Sequence, residues 1–538
     1  MTSRTFLKTE RISQKGSYKD RHNVYLLSIL IIAIVLRVWL IDQPYIDVLS
    51  WRQTSTAMMA ENFFKTNSNI FYPQVNWSGP GPSYNGREFQ TISYISALLY
   101  HVFGQHDWIG RLVAVIFGVW GIFAFFRLVE IVWNSAHALA GAFVMAVMPL
   151  SILVDRSFIP DPVMVALVVT FLWLFVRYLQ TQEQKYLVLS ALFGCLGFLT
   201  KLPGMLIGLP ALYAFIHISK AGNQLTAFRT KRVVFAGVIV FIPVVLYYLW
   251  ARHLSVSYAP YHFAGAGNWV WNEGLASWVS SKYFLGNFYR IAQHLMWGPV
   301  ISVLFFLGLL SFPLSIKKAD EIVHNAKAPY FFHFWLLAFA FFYAIGAREL
   351  TTNFWNFHII DPVIAAFAGR SIVSVFNFQR KRKLFPYSGI VVIGVLLLLS
   401  SYVIMKRNHD EQTTISGYKM AQDLKNISKE DDLVVTLPEL CGDPFPIFYS
   451  HRHGWTFPPM ELDKKLYETS KIPDTSQECI DIIELLRNRN AKWFAVVQKQ
   501  INLLQDESPE FYKYLNKNFR VAIRTNDYII FDISILNR

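Results

Sequence analysis

Acidic and basic side chains gather in one polar segment of an otherwise apolar chain. The segment covers residues 42–90, directly after the first apolar run, and it contains Asp47, Arg52, Arg87 and Glu88. A carboxylate in such a segment can accept a proton from a hydroxyl group, and arginine side chains match the oxygens of a phosphate. The segment therefore predicts proton transfer beside a bound phosphate group, with Glu88 as a further binding residue.

A second acidic group occupies the short loop that runs from Asp155 to Asp161. Pro160 and Pro162 flank Asp161, so a helix cannot continue through this point and Asp161 is expected to begin the next one. Carboxylates from two separate loops would provide a general base and an electrostatic partner. We therefore predict that Asp47 and Asp161 are catalytic and share one cavity, and that Asp155 contacts the substrate.

Two further polar residues lie beside apolar runs. Lys201 stands between two such runs, and its ammonium group would suit a phosphate, as would Arg52 and Arg87. His358 comes three residues before Asp361, a spacing at which an imidazole can relay a proton. We predict that Lys201 and His358 take part in substrate binding.

Each of these candidates also has an ordinary structural interpretation. Asp47 would be the N-cap of the helix predicted over residues 48–65. Asp161 and Lys201 would cap a span or extend toward the membrane surface. His358 would be a structural hydrogen-bonding group at a span end.

The composition excludes a water-soluble globular protein. Hydrophobic residues make up 54% of the 538 residues, and their long runs within residues 23–404 are typical of polytopic membrane proteins. The net charge is +14, but much of it lies beside apolar runs, where the cytoplasmic ends of membrane helices carry Lys and Arg. We therefore expect the lipid bilayer as a partner and no binding of nucleic acid.

The apolar runs predict about eleven transmembrane helices, each near the ~20 residues that cross a bilayer. They cover residues 23–41, 109–131, 136–154, 162–179, 185–200, 203–218, 233–250, 291–314, 330–346, 360–377 and 387–404. Residues 91–104 are shorter and are expected to form an interfacial helix in the first outer loop. This arrangement leaves about twenty Lys and Arg in cytoplasmic segments and about ten in the opposite loops, as the positive-inside rule requires.

The charge distribution also orients the chain and divides it into three parts. Residues 1–22 are expected to form a cytoplasmic head. Residues 23–404 would form a transmembrane catalytic domain whose first outer loop covers residues 42–108, and residues 405–538 would form an extracytoplasmic domain. The protein would thus be a multi-pass protein of the plasma membrane with its polar-rich loops on the outer face.

The C-terminal part has the pattern of a small soluble α/β domain. Short apolar runs at residues 433–437, 447–449, 493–497 and 528–533 predict strands, and residues 476–490 and 508–518 predict helices. Cys441 and Cys479 both lie in this part. An oxidising compartment would permit a disulfide between them without requiring one.

The sequence carries no motif for a nucleotide or a redox cofactor. Neither a phosphate-binding G-x-x-x-x-G-K-[ST] loop nor a G-x-G-x-x-G turn after a strand occurs, and the spacings typical of zinc, haem or flavin sites are missing. The energy for a transfer reaction must then come from an activated substrate, and a lipid phosphate ester would fit. No cofactor is expected, apart from a divalent metal, which the acidic residues leave open.

Several short motifs occur in an order that resembles a known family. They are Asp47 after the first run, Trp51-Arg-Gln-Thr54, Asn69–Trp77, Tyr84–Gln90, Gly104 with Arg111, the Asp155–Asp161 loop, Leu196-Gly-Phe-Leu-Thr-Lys201 and Tyr449-Ser-His-Arg-His-Gly-Trp455. Over most of residues 23–377 the chain resembles bacterial membrane glycosyltransferases of the GT-C class. It is most similar to relatives of protein O-mannosyltransferases and of the lipid A aminoarabinose transferase.

The resemblance implies an inverting transfer of a sugar from a polyprenyl-phosphate-linked donor to an acceptor hydroxyl, at the outer face of the plasma membrane. The acceptor would be a glycan, a lipid or a protein. By the same resemblance Asp47 is the catalytic base and Asp161 the second acidic residue of the site. Arg52, Arg87 and Lys201 are the donor-phosphate ligands that it suggests.

The chain departs from the aminoarabinose branch at two positions. Asp47 is followed by Val48 where that branch has Glu. The stretch Glu88-Phe-Gln90 stands where that branch has Glu-Lys-Pro, so the phosphate-binding lysine of the motif is absent.

A transporter or flippase of polyprenyl-linked saccharides is the alternative function, since it would use the same cations and aromatic side chains. Such a protein is expected to have internally repeated halves and ionisable groups near the centres of its spans, and the sequence indicates neither. A non-catalytic membrane scaffold that displays the C-terminal domain is the remaining alternative.

Overall fold

The computed structural model describes residues 22–222, 226–263, 267–274, 282–313, 327–381, 387–410, 412–460 and 471–536. Its helices are α1 His22–Val38, α2 Ser50–Lys65, α3 Thr91–Phe103, α4 Asp107–Val132, α5 Ser135–Val147, α6 Pro149–Asp155, α7 Asp161–Thr181, α8 Gln184–Thr200, α9 Gly208–Ala221, α10 Ala227–Ser257, α11 Val270–Glu273, α12 Phe288–Ile291, α13 Gly298–Leu310, α14 Phe331–Thr352, α15 Asp361–Lys381, α16 Ser388–Asp410, α17 Ile415–Ile427, α18 Phe445–Ser450, α19 Ser476–Asn488, α20 Gln498–Glu507 and α21 Pro509–Asn518. Shorter helical turns of other types cover Leu202–Ile207, Lys282–Asn287, Ala292–Met296 and Phe354–Ile360. The strands are β1 Ser78–Gly79, β2 Leu433–Leu437, β3 His453–Thr456, β4 Ala491–Val497, β5 Phe519–Arg524 and β6 Tyr528–Leu536.

The apolar helices make the chain a multi-pass membrane protein. Within the described ranges, seven helices are long and apolar enough to span a bilayer, and two bent pairs raise the number to nine. The bent pairs are α5 with α6, at 64°, and Phe284–Met296 with α13, at 112°.

The predicted number of eleven spans is not confirmed, although each predicted span coincides with an apolar helix or a bent pair. The two that fall short are α1 and α8, which are classed with the shorter apolar helices. The 17 residues of α8 rise roughly 26 Å, less than the ~30 Å hydrocarbon layer. Helix α3 has 13 residues, the length expected for the interfacial helix.

Contacts divide the chain into two compact units. Unit 1 comprises the described residues of Met1–Ile41, Ala114–Val245 and Asn268–Arg407. Unit 2 comprises those of Asp42–Val113, Leu246–Gly267 and Asn408–Arg538. The domain limits predicted from the sequence and the orientation of the termini stay predictions.

Unit 1 is helical, and small residues allow its helices to approach closely. Helix α7 packs on α8, and α15 packs on both α5 and α13. A Cβ atom added to Gly369 of α15 would lie 2.5 Å from the backbone nitrogen of Gly141 in α5. Such close backbone approach is a usual source of packing energy between helices in a membrane.

The sequence indicated no ionisable group near the centre of a span. This is wrong for unit 1, where a charged residue lies near the centre of a span. Arg370 is the tenth residue of α15 and is buried. Its guanidinium group donates to the Ser311 hydroxyl at 3.0 Å and to the Ser311 carbonyl at 3.1 Å, and it lies over the Phe312 ring. Arg370 therefore joins α15 to the residues that follow α13.

Unit 2 contains a mixed sheet to which the first polar segment contributes a strand. The strand order is β1-β3-β2-β4-β6-β5, with parallel pairing of β3, β2 and β4 and antiparallel pairing elsewhere. Strand β1 pairs with β3 in the register Ser78 to Trp455 and Gly79 to Gly454. Helices α19 to α21 cover a core that includes Phe494, Phe511 and Phe531.

Local signals predicted part of this region correctly. Strand β2 has the predicted bounds, β4 and β6 contain the predicted runs, and α19 begins at the predicted residue. A capping box explains that start, since the Thr475 hydroxyl accepts from the Glu478 N–H and the Glu478 carboxylate accepts from the Thr475 N–H. Residues 447–449 were predicted as a strand and lie in α18 instead. Pro446 favours the start of a helix, and a run of three apolar residues is too short to distinguish the period of a helix from that of a strand.

Cys441 and Cys479 belong to the same buried core of unit 2, and both are free thiols. Burial raises the pKa of Cys441 to about 11 and that of Cys479 to about 12. Both side chains therefore behave as small apolar groups at neutral pH.

Candidate functional site

The Asp47 carboxylate lies in a turn just ahead of α2 and is buried. Its Oδ1 atom accepts hydrogen bonds from the backbone N–H of Leu49 at 3.0 Å and from the Gln53 side-chain amide at 2.8 Å. Helix α2 begins at Ser50 with Leu49 in the N-cap position. The N-cap interpretation of Asp47 is therefore wrong, and the helix starts two residues later than predicted.

Arg111 holds the second oxygen of this carboxylate. A terminal nitrogen of its guanidinium group lies 3.3 Å from Asp47 Oδ2 and donates to the Pro44 carbonyl at 3.2 Å. The same group lies over the Tyr45 ring, 5.2 Å from its centroid. Arg111 lies in the first turns of α4 and is completely buried, a position where an arginine needs a partner. Arg111 belongs to one of the sequence motifs, but no role was predicted for it.

Arg52, Arg87 and Glu88, all in the first polar segment, lie together. Arg52 forms an ion pair with Glu88 Oε1, and Arg87 Nε lies 3.8 Å from Glu88 Oε2. The Glu88 carbonyl accepts from the Tyr247 hydroxyl at 3.0 Å. The Arg52 side chain is 9% exposed and that of Arg87 is 27% exposed, so Arg87 is the more accessible cation.

Sequence reasoning missed a buried acid in α2. Glu61 Oε1 accepts from Lys65 at 2.6 Å and lies 2.8 Å from Nδ1 of His451. Burial by itself raises the pKa of Glu61, but His451 and then Lys65 outweigh it, and the net pKa lies below the ordinary value. Its burial and its partner His451, 390 residues away, distinguish Glu61 from an exposed helix carboxylate, and neither can be seen in the local sequence.

Asp443 is a second acid that the sequence analysis missed. It is buried; its Oδ1 accepts from the Phe445 N–H at 2.9 Å, and its Oδ2 lies 3.4 Å from the Ser50 hydroxyl. Burial raises the pKa of Asp443 to about 7, and the charge of Glu439 also raises it, against the lowering effect of the Phe445 hydrogen bond. Asp443 therefore changes charge near neutral pH.

In unit 1, Asp155 lies in a buried polar network. Arg37 donates to its Oδ2 from Nε at 3.0 Å and from a terminal nitrogen at 2.9 Å, and the Ser151 hydroxyl donates to the same oxygen at 2.9 Å. A Cβ atom on Gly118 would lie 2.5 Å from Asp155 Cβ and Cγ, so only glycine fits there. Arg37 lies inside an apolar run, and that charge was the sequence signal for a buried partner.

His358 lies between two carboxylates. Its Nε2 is 3.0 Å from Asp155 Oδ1 and its Nδ1 is 2.8 Å from Asp361 Oδ2. The Trp297 indole N–H donates to Asp361 Oδ1 at 3.0 Å. The Nδ1 contact is a hydrogen bond, whereas Nε2 makes none among the described residues, so its contact with Asp155 is an ion pair that requires a protonated imidazole. These contacts support the structural interpretation of His358. The role of His358 in substrate binding stays a prediction.

Asp161 and Lys201 form an ion pair. Lys201 Nζ lies 2.7 Å from Asp161 Oδ1 and 2.7 Å from the Asn356 side-chain oxygen. The Lys201 side chain is 12% exposed, so most of it is enclosed by protein. Asp161 Oδ2 is buried and has no hydrogen-bond partner among the described residues.

The structure therefore places the predicted residues in four groups. Asp47 lies with Arg111, Arg52 lies with Arg87 and Glu88, and the residues of unit 1 form the Asp155 network and the Asp161 ion pair. The predicted cavity shared by Asp47 and Asp161 stays a prediction. In the part of the chain that the structure describes, no three His, Cys, Asp or Glu side chains are placed to hold a metal ion.

Comparisons with known proteins agree with this architecture. Residues 91–250 match the family of dolichyl-phosphate-mannose-protein mannosyltransferases. Curated protein sequences give no match. Among solved structures, ArnT from Cupriavidus metallidurans superposes with a TM-score of 0.60 at 12% identity, over 96% of this chain and 98% of that chain.

Two further structures carry a bound lipid phosphate. ArnT from the same organism bound to undecaprenyl phosphate has a TM-score of 0.59 at 12% identity, over 96% of this chain and 98% of that one. The oligosaccharyltransferase AglB from Archaeoglobus fulgidus, in complex with an inhibitory peptide and a dolichol-phosphate, has a TM-score of 0.58 at 12% identity, over 95% and 74%. The chain therefore has the fold of the GT-C class, and the resemblance found in its sequence is confirmed at that level.

Proposed function

We propose that this chain is a glycosyltransferase that moves a sugar from a polyprenyl-phosphate-linked donor to an acceptor hydroxyl, with inversion, at the outer face of the plasma membrane. The observation that carries the proposal is the Asp47 carboxylate. Both of its oxygens are fixed, one by Leu49 and Gln53 and the other by Arg111. A buried carboxylate that cannot rotate is suited to accept a proton from one defined direction.

In the proposed step, the acceptor oxygen forms a bond to the anomeric carbon while the bond from that carbon to the donor phosphate oxygen breaks. The acceptor proton passes to Asp47. The electron pair of the broken bond stays on the lipid phosphate, which leaves as polyprenyl phosphate. A single displacement of this kind inverts the anomeric centre.

The leaving phosphate needs positive charge beside it, because negative charge develops there in the transition state. Arg52, Arg87 and Lys201 are the proposed ligands. Arg87 is the favoured one, since its side chain is 27% exposed, against 9% for Arg52 and 12% for Lys201. A donor phosphate would have to compete with the neighbouring carboxylates for all three.

Asp161 is the second acidic residue of the proposal. Its Oδ1 is occupied by Lys201, whereas its buried Oδ2 is left to accept a hydrogen bond from a substrate hydroxyl. Asp155 and His358 would act indirectly, by holding in place residues 354–361, the segment that contains Asn356 and Asp361. These assignments predict a loss of turnover for Asp161→Asn.

The donor class is supported by the lipids found in similar folds. ArnT binds undecaprenyl phosphate and AglB binds a dolichol-phosphate. Both lipids are polyprenyl phosphates, the leaving group that the proposed reaction releases. The acceptor would be a glycan, a lipid or a protein.

The test uses the purified full-length protein in lipid nanodiscs with a panel of polyprenyl-phosphate sugars and hydroxyl acceptors. Mass spectrometry would detect free polyprenyl phosphate and the glycosylated acceptor, and NMR of the product would give the anomeric configuration. Asp47→Asn should abolish release, whereas Asp42→Asn, at an exposed carboxylate five residues earlier, should leave it unchanged.

The alternatives give different results. A flippase would move the labelled donor across a vesicle membrane without releasing polyprenyl phosphate, and a scaffold would do neither. Unchanged turnover by Asp47→Asn would remove Asp47 from the mechanism. A reporter fused after Met405 that is active in the cytosol would contradict the proposed orientation.

A further inference from the structure

The Tyr449 hydroxyl bridges two segments that are distant in sequence. It accepts a hydrogen bond from the backbone N–H of Tyr45 at 2.8 Å, and it donates to Asp107 Oδ2 at 2.7 Å. The Tyr449 side chain is buried. One hydroxyl group thus uses its donor and an acceptor lone pair within unit 2.

These two segments carry the ion pair of the proposed base. Tyr45 lies two residues before Asp47, and Asp107 lies four residues, about one helical turn, before Arg111 in α4. The segments also contact each other directly, since the Tyr45 hydroxyl donates to the Asp107 carbonyl at 2.9 Å. A shift of either segment would change the distance between Asp47 and Arg111.

We propose that Tyr449 is a positioning residue for Asp47, so that α18, in the C-terminal part of the chain, sets the geometry of the base. The inference rests on the proposed function for the role of Asp47, but the contacts themselves do not depend on it. The motif Tyr449-Ser-His-Arg-His-Gly-Trp455 would then have a positioning role. A second residue of the motif, His451, also contacts a distant segment, since it lies beside Glu61 of α2.

The aromatic ring of Tyr449 has a separate structural role, which a conservative substitution retains. Its ring lies 4.9 Å from Phe445, 4.9 Å from Phe448 and 5.0 Å from Tyr418. Tyr449→Phe keeps these contacts and removes only the hydroxyl. The Asp107 carboxylate then loses one donor and the Tyr45 N–H loses its acceptor. Because a buried polar group without a hydrogen-bond partner costs free energy, we expect the two segments to shift.

A matched control exists in the same aromatic cluster. Tyr418 is half-buried, and its hydroxyl makes no hydrogen bond among the residues that the structure describes. Tyr418→Phe therefore removes the same group from a neighbouring ring and leaves both hydrogen bonds of the bridge in place, although burial and then the charge of Asp107 raise the pKa of Tyr418.

The experiment measures transfer kinetics and amide hydrogen exchange on the same full-length variants. Tyr449→Phe should lower kcat about tenfold, the effect of losing one charge-assisted hydrogen bond, with the donor KM unchanged. Exchange at the Tyr45 amide should become faster. Tyr418→Phe should match the unaltered protein in both measurements.

Tyr449→Phe with an unaltered kcat and unaltered exchange at Tyr45 would overturn the proposal, as would an equal effect of Tyr418→Phe. If Tyr449→Phe fails to fold, Asp107→Ala takes its place, because it removes the acceptor of the same bridge. The same fall in kcat and the same faster exchange at Tyr45 are expected. An equal effect of Tyr418→Phe would again overturn the proposal. Inactivity of the unaltered protein with every donor would refute the proposed function, while the exchange measurement would still decide whether Tyr449 positions the segment.

Discussion

Asp47 and Arg111 are 64 residues apart in the chain, and their side chains form an ion pair with 3.3 Å between Oδ2 and a terminal guanidinium nitrogen. Both side chains are completely buried. The arginine therefore provides the charge that makes a buried carboxylate tolerable, in addition to fixing its orientation. The effect of removing it is measurable in stability as well as in turnover.

Arg111→Gln is expected to abolish transfer and to destabilise the protein by about 3–5 kcal/mol, because it leaves the Asp47 charge buried without its partner. Arg127→Gln is the control on the same helix, since Arg127 pairs with Glu130 but is 36% exposed. Thermal unfolding in detergent and the transfer assay would be compared for both variants. Equal unfolding midpoints for the two would contradict the assigned role of Arg111.

Arg87→Gln is expected to raise the donor KM about tenfold or more, through the loss of a charge-assisted hydrogen bond to phosphate. The unfolding midpoint should stay the same, because the Arg87 side chain is 27% exposed. Arg52→Gln should instead lower the midpoint, since it leaves Glu88 without its close partner. Arg252→Gln, at an exposed position of unit 2, serves as the control for a general effect of charge. A normal donor KM in Arg87→Gln would show that this arginine is not a phosphate ligand.

Gly118→Ala is expected to displace the Asp155 side chain, because the new Cβ would lie 2.5 Å from its Cβ and Cγ. The cost should be about 1–3 kcal/mol, as for other overpacked sites, and turnover should fall as the contacts with Arg37 and His358 are disturbed. Gly121→Ala lies one turn further along α4, where the nearest atom is 3.5 Å away. Unfolding midpoints that are lowered equally by both substitutions would rule out a specific effect at Asp155.

The stability of unit 2 should depend on pH through Asp443. Its pKa is about 7 in the folded protein against an ordinary value of 3.8, so the protonated form is the one that the fold favours. The stabilisation is complete below the ordinary value and is lost as the pH rises toward 7, at about 1.4 kcal/mol per pH unit. Asp443→Asn mimics the protonated form and should gain stability relative to the unaltered protein between pH 5 and pH 8.

Asp432→Asn is the control for this titration. Burial raises the pKa of Asp432, but hydrogen bonds from Lys492 and Trp493 outweigh it and the net pKa lies below the ordinary value. Its contribution to stability is lost only when the pH falls below the ordinary pKa value of an aspartate. The difference in stability between Asp432→Asn and the unaltered protein should therefore be constant from pH 5 to pH 8. Parallel midpoint curves for Asp443→Asn and the unaltered protein would refute the assignment.

The sequence by itself determined the class of the protein and where its helices lie. Long apolar runs can only be buried in a membrane, and each of the predicted spans coincides with an apolar helix or a bent pair. Strand β2 and the start of α19 were also readable, because a short apolar run and a capping box act within a few residues. The predicted acids and cations stood out because an ionisable group beside an apolar run requires an explanation, but the roles of Arg111, Glu61 and Asp443 were missed.

Only the tertiary structure decided which of these groups are partners. The Asp47 ion pair with Arg111 and the Tyr449 bridge to Tyr45 span 64 and 404 residues, and no local pattern encodes such separations. A buried charge must find a countercharge, but many charges in the sequence could provide it, and the packing of the backbone selects one. The same packing buries Asp443 and gives it a pKa near neutrality, a property that depends on its surroundings and not on its neighbours in the chain.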